Sequence, residues 1–365
     1  MKETYNIDLR RIELSNLDII KYDEASRYHV ETYVENATSR FSNSEELLMI
    51  ALDSRFLLNV IVDGDSTMLT HKQFSAVTEL DYDKKSGVLS IMPTAIEMKN
   101  AVFHIEGSVD VNDEFDMDLK IHGDNPNFNL LIAMAPREII PALEQYENAG
   151  RIYFDASVKG KTLGDNKPAI EAVFGCDSAY FRNPESKAQL EQIGFNGRFT
   201  NGEKHDLSTM EFVLENVKAK PEAGIFNASL YVRNFETPEI DLTVSSLFDL
   251  NFLSKFLNVT SVQNLDGDVS LQMKFKDIID LRNPERSFEE FNKSYFSELD
   301  VKNLSFNLPD YHLKFDSIDM RATMDGNHAN IDVFFINIGN SDITIRGEID
   351  DLPAIIHQSE KPRNR

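Results

Sequence analysis

Very few side chains in this sequence have the types and spacing that chemistry needs. In "IHGDN" His122 stands two positions from Asp124, and in "KHD" His205 stands beside Asp206. An imidazole next to a carboxylate is the smallest unit of acid–base catalysis and half of a metal site. Both pairs sit beside turn residues. In a chain with 8 His and 61 acidic residues such neighbours are expected by chance, so they read as solvated turns. "VNDEFDMD" (111–118) is acidic enough to suggest calcium. It lacks the ligand spacing and central glycine of an EF-hand loop, and reads as the wet face of a strand.

The single cysteine, Cys176, lies in "VFGCDSAYF". One thiol excludes an internal disulfide, and its strand-like setting favours a buried structural role over a nucleophile. The sequence holds no nucleophile elbow, P-loop, HExxH, CxxC or dinucleotide fingerprint. Sequence therefore predicts no catalytic residue, no metal and no cofactor.

Composition narrows the partners. A net charge of −24 opposes nucleic acid, because neutralising phosphates needs clustered Lys and Arg. It also opposes docking on an anionic membrane by charge alone. There are 25 Phe and no Trp, so the Trp platforms often used for sugar stacking are missing. No run approaches the roughly 18 to 20 apolar residues of a membrane span, and "MKETYNIDLRR" is not a signal peptide.

What dominates is alternation with a period of two. In "RIYFDASVK", Ile152, Phe154, Ala156 and Val158 share one face, opposite Arg151, Tyr153, Asp155 and Lys159. In "DVSLQMKFK", Val269, Leu271, Met273 and Phe275 oppose Asp268, Ser270, Gln272 and Lys274. "EFDMDLKIH", "EIDLTVS" and "DITIRGEID" repeat the scheme, the last with Ile343, Ile345 and Ile349. Antiparallel sheets with one wet and one apolar face look like this. The stretch 39–62 is ambiguous between helix and strand, and the returning alternation favours strands.

The pattern is interrupted by short apolar helices. "FNLLIAMAPREIIPALEQYENAG" predicts two helical pieces, with a break at Pro141, and "LFDLNFLSKFL" predicts another. Gly150 and Gly267 are expected to stop them. The surroundings recur: "HIEGSVDVND", "FNASLYVRN" and "IRGEIDD" fall at a spacing of 120 residues, from Gly107 to Asn227 to Gly347. The first two are followed by a strand and an apolar helix, the third by "DLPAIIH". The reading is one elongated β-rich domain over 1–365, with repeat units near 1–150, 151–266 and 267–365.

So many one-sided strands must hide their apolar face, since burial contributes about 25 cal/mol per Å². A sandwich or closed barrel would do so, as would an open trough covered by something else. The order of features resembles the AsmA family of bacterial envelope proteins. The resemblance rests on "IELSNLDIIKYDEASRYHVE" (12–31), with Asn16, Leu17, Ile19, Tyr22 and Asp23 similar to an "NA-x-I-x-Y-x-D" strand. It rests also on the strand–helix–strand at 115–160 ending in "VKG", on "NLDGDVSLQMKFK" (264–276) and on "IGNSDITIRGEIDDL" (338–352). No single motif is specific; the ordered set covers nearly the whole chain. The N-terminal anchor of the family is missing here, and the proline of its "LIPA" helix is shifted to "AMAPRE".

The resemblance implies a mainly β fold, an elongated, curled antiparallel sheet forming a repeating groove with a few short amphipathic helices. It implies a non-enzymatic module in the periplasm, anchored at the inner membrane in the family pattern. Such a module would bind or transfer phospholipid or another acyl lipid for outer-membrane lipid homeostasis, with other envelope proteins as partners. The expected groove residues are Ile152, Phe154, Val158, Val269, Leu271, Met273, Phe275, Ile343 and Ile345. Protein core is the competing reading for each, and a lipid-free sandwich or scaffold is the competing reading for the whole.

Overall fold

The computed structural model describes residues 10–23, 28–62, 65–66, 71–99, 101–125, 127–134, 140–164, 166–259, 262–278, 295–309, 312–326 and 328–350. It is mainly β and antiparallel, and the sheet is not closed. The strands are long, commonly 10 to 16 residues, and follow one another through turns. Contacts divide the chain into two compact units: 1–145 with 151–174, and 146–150 with 175–365.

The first unit contains β1 (Arg11–Asp23), β2 (Tyr28–Asn43), β3 (Leu47–Val62), the two-residue β4 (Asp65–Ser66), β5 (Lys72–Asp83), β6 (Val88–Met98), β7 (Ala101–Asp110) and β8 (Asp116–Asn125). Two short helices follow, α1 (Asn129–Met134) and α2 (Ile140–Glu144), and then most of β9 (Glu147–Gly160). Pairing runs in chain order, with β4 only a bridge at the end of β3. Stretch 39–62 is strand, as the alternation predicts. Two helical pieces form as expected, but Pro141 does not break a helix: it lies in the first turn of α2, where its missing N–H costs nothing, and residues 135–139 between the pieces lie outside the described residues.

The second unit begins with the start of β9 and the end of β10 (Ala169–Arg182). It continues through β11 (Gln189–Thr200), β12 (Glu211–Lys220), β13 (Gly224–Arg233), β14 (Glu239–Asp249), α3 (Leu250–Leu257) and β15 (Gln263–Ile278). It ends with β16 (Tyr295–Leu308), β17 (Leu313–Asp325), β18 (His328–Ile338) and β19 (Ser341–Ile349). Strands β11 to β19 pair consecutively. The third helical segment expected at "DLPAIIH" lies outside the described residues.

The sequence expectation for the two glycines fails. Gly150 and Gly267 lie inside β9 and β15, not at helix ends. Their φ values are +151° and +116°. A Cβ on Gly150 would come within 2.2 Å of Ala179 Cβ, and one on Gly267 within 2.7 Å of the Lys302 carbonyl oxygen. They permit close approach of neighbouring backbones. Helix α3 is instead stopped by Asn258, left-handed at φ +56°, while the carboxylate of Asp249 accepts the Phe252 N–H at 2.7 Å at its start.

Candidate functional site

Cross-strand register decides which side chains share a face. In the first unit the rows read Val34–Phe56–Phe74–Met98, Ser54–Ala76–Ile96–Phe103, and Ile50–Leu80–Ile91–Gly107–Leu119–Val158. The last row is Tyr82–Leu89–Val109–Met117–Gly160. One face is therefore apolar across strand after strand. The opposite face carries ion pairs such as Lys159–Asp118 at 3.6 Å and Arg151–Asp124 at 3.4 Å.

The second unit does the same. Its rows include Leu214–Leu230–Leu242–Phe275, Val244–Met273–Ser297–Met324–Ala329 and Phe248–Val269–Val301–Met320–Phe334–Ile345. Alternate positions give Ser245–Gln272–Glu298–Thr323–Asn330–Glu348 on the other face. All nine predicted groove residues thus lie on the apolar face of their own unit.

They differ in cover. Helices α1 and α2 sit at one rim of the first unit, where Phe128 and Ile132 are buried. An ion pair from Lys99, in the β6–β7 turn, to Glu144 of α2 ties the helices to that rim. The sheet residues nearest this rim are buried: Met98, Ala101, Phe103, Phe154 and Ile152, the last at 0 % exposure. Phe103 and Phe154 meet edge to face at 5.8 Å. Farther along the same strands, Ile105, Ile121, Leu119, Met117 and Val158 are only half-buried. Of the three predicted β9 residues, then, Ile152 and Phe154 lie in the covered part and Val158 in the half-buried part.

In the second unit α3 covers the corresponding rim. Phe252 and Phe256 are buried with Ala188, and Tyr146 stacks on Phe256 with ring centroids 4.7 Å apart. The β10–β11 turn caps the end of α3. The Asn183 side-chain amide donates to the Phe256 carbonyl at 2.9 Å, and the Ser186 hydroxyl donates to the Lys255 carbonyl at 2.7 Å. Phe275 is buried at 8 % exposure, whereas Val269, Leu271 and Met273 are half-buried. Ile343 and Ile345, on β19, are exposed at 52 % and 46 %. Small residues such as Ala322, Ala329 and Ser297 are buried between larger neighbours, so apolar volume rather than polarity shapes this face.

The chemical candidates take ordinary places. His122 pairs with Asp155 across β8–β9 at 2.7 Å, not with Asp124, and both partners are exposed. Asp206 accepts N–H groups from Ser208 and Thr209 in its own turn. Asp113 and Glu114 pair with Lys161. Cys176 is buried at 2 % exposure, and burial pushes its thiol up to about 11. No group of three or more potential metal ligands occurs among the described residues. No helix of the described residues is long and apolar enough to cross a membrane.

No protein family model, curated protein or solved structure matches this chain.

Proposed function

We propose that the apolar face is a binding surface for acyl lipid, and that the chain is a non-enzymatic lipid-binding or lipid-transfer module. One observation carries the reading. Helices cover the apolar face at one rim, and beyond it large aliphatic side chains stay half-buried on strand after strand. A face of this kind is costly in water, and contiguous apolar surface of several hundred Å² usually marks an interaction site. Acyl chains suit it because they need no hydrogen-bond partner from the floor, while headgroups remain in water.

The sequence resemblance to AsmA-like envelope proteins points the same way. On that reading the working place is the periplasm and the role is outer-membrane lipid homeostasis, with phospholipid as cargo and other envelope proteins as partners. The competing reading, a lipid-free scaffold, draws on the buried positions Ile152, Phe154 and Phe275. Organic extraction of detergent-free purified protein, followed by lipid mass spectrometry, separates the two. The proposal expects stoichiometric acyl lipid; lipid-free protein that also fails to take up added phospholipid contradicts it.

A further inference from the structure

The polar face of the first unit carries one arrangement that lipid binding does not use. Strands β7 and β8 set His104 directly opposite His122, and β9 sets Asp155 opposite His122. The row His104–His122–Asp155 thus crosses three neighbouring strands, and all three side chains are exposed. Residues directly opposite on antiparallel strands have Cβ atoms about 5 Å apart, close enough for two imidazoles to reach one ion. His122 Nδ1 lies 2.7 Å from the Asp155 carboxylate. A carboxylate only accepts, so in the neutral ring the proton stays on Nδ1 and Nε2 keeps its lone pair. Imidazole ligands in metal sites are commonly oriented by a carboxylate in this way.

The flanking charges are engaged with one another. Asp124 pairs with Arg151 at 3.4 Å, and Glu106 faces Lys120 in the next row. We infer that His104 and His122 form a two-histidine site for a divalent transition cation, Cu²⁺ or Zn²⁺, completed by water, with Asp155 as a positioning residue. Imidazole nitrogen suits these ions, whereas Mg²⁺ and Ca²⁺ take oxygen ligands. Two imidazoles and water make an open site, in keeping with the lack of any three-ligand cluster among the described residues. Phe103 and Phe154, the sequence neighbours of His104 and Asp155, are buried on the opposite face. A bound ion therefore ties β7 to β8 directly behind the covered region. His328 repeats the imidazole–carboxylate pair, to Asp350 at 2.9 Å, but across β17–β18 it faces Asp325 instead of a second imidazole.

Titration of the untagged full chain with Cu²⁺, read by electron paramagnetic resonance in moderate salt, tests this. The salt screens the diffuse attraction of cations to a chain carrying −24. The expected result is one equivalent of Cu²⁺ whose spectrum shows two imidazole nitrogens. His104→Ala and His122→Ala, at exposed positions, each remove that spectrum with circular dichroism unchanged. Asp155→Ala weakens binding about 10- to 100-fold and keeps the two-nitrogen spectrum. His328→Ala leaves the site intact. A spectrum of oxygen ligands only, or a two-nitrogen spectrum that survives His104→Ala, overturns the inference. So does a chain that takes up no Cu²⁺.

Discussion

Within the first unit, the apolar face of β9 holds two regions four to six residues apart with different fates. Ile152 and Phe154 sit near α1 and α2 and are buried, whereas Val158, next on the face after Ala156, is half-buried beside Leu119. Composition and alternation do not distinguish them. The buried pair lies toward the strand ends where α1 contacts β7 and β8, with Phe128 and Ile132 buried there and Lys99 paired to Glu144. α3 repeats the device in the second unit with Phe252, Phe256 and Tyr146. Burial on this face does not follow the helices alone, since Phe275 is buried at the end of β15 away from α3 whereas Val269 near it is half-buried.

The largest effect that this contrast predicts is at Ile152. An Ile152→Asp substitution buries a charge with no partner and should cost about 4–5 kcal/mol, read as a collapse of the denaturant midpoint. A loss below about 1 kcal/mol would mean that the covered region is not core. Next is the α3 cap, where Phe256→Ala removes the stack on Tyr146 and should cost about 3–4 kcal/mol by the same measurement. Asp249→Ala, which deletes only the α3 N-cap bond, should cost about 1 kcal/mol. Smallest is Val158→Asp, expected to change stability by about 1 kcal/mol or less while reducing retained lipid. If Val158→Asp unfolds the protein as Ile152→Asp does, the distinction between the two regions is false.

Cys176 adds a pH prediction. Its thiol is raised from 9.0 to about 11 by burial, so the folded state holds this proton more tightly than the unfolded chain. The stability tied to it is fully present below about pH 9 and declines as pH rises toward 11. Alkylation of the native protein should accordingly be slow at neutral pH and fast after denaturation.

Much of this was legible in the sequence, because period-two alternation over long strands leaves little choice of face. Register then places Val269, Leu271, Met273 and Phe275 together with Leu242, Val244 and Phe248 as the pattern implied. What alternation does not carry is cover. Whether Ile152 or Val158 lies under a helix depends on where α1 and α2 turn back, which is a tertiary outcome. The roles of Gly150 and Gly267 were hidden for the same reason, since the backbones they admit come from β10 and β16.

The most direct test of the binding face is photocrosslinking with a phospholipid whose acyl chain carries a diazirine, mapped by peptide mass spectrometry on the full chain. The lipid-binding account predicts adducts on the half-buried rows, at Met117, Leu119, Val158, Leu271 or Met273, and none at Ile152 or beneath α3. Adducts confined to the polar faces, or no adducts on protein competent to fold, would contradict it.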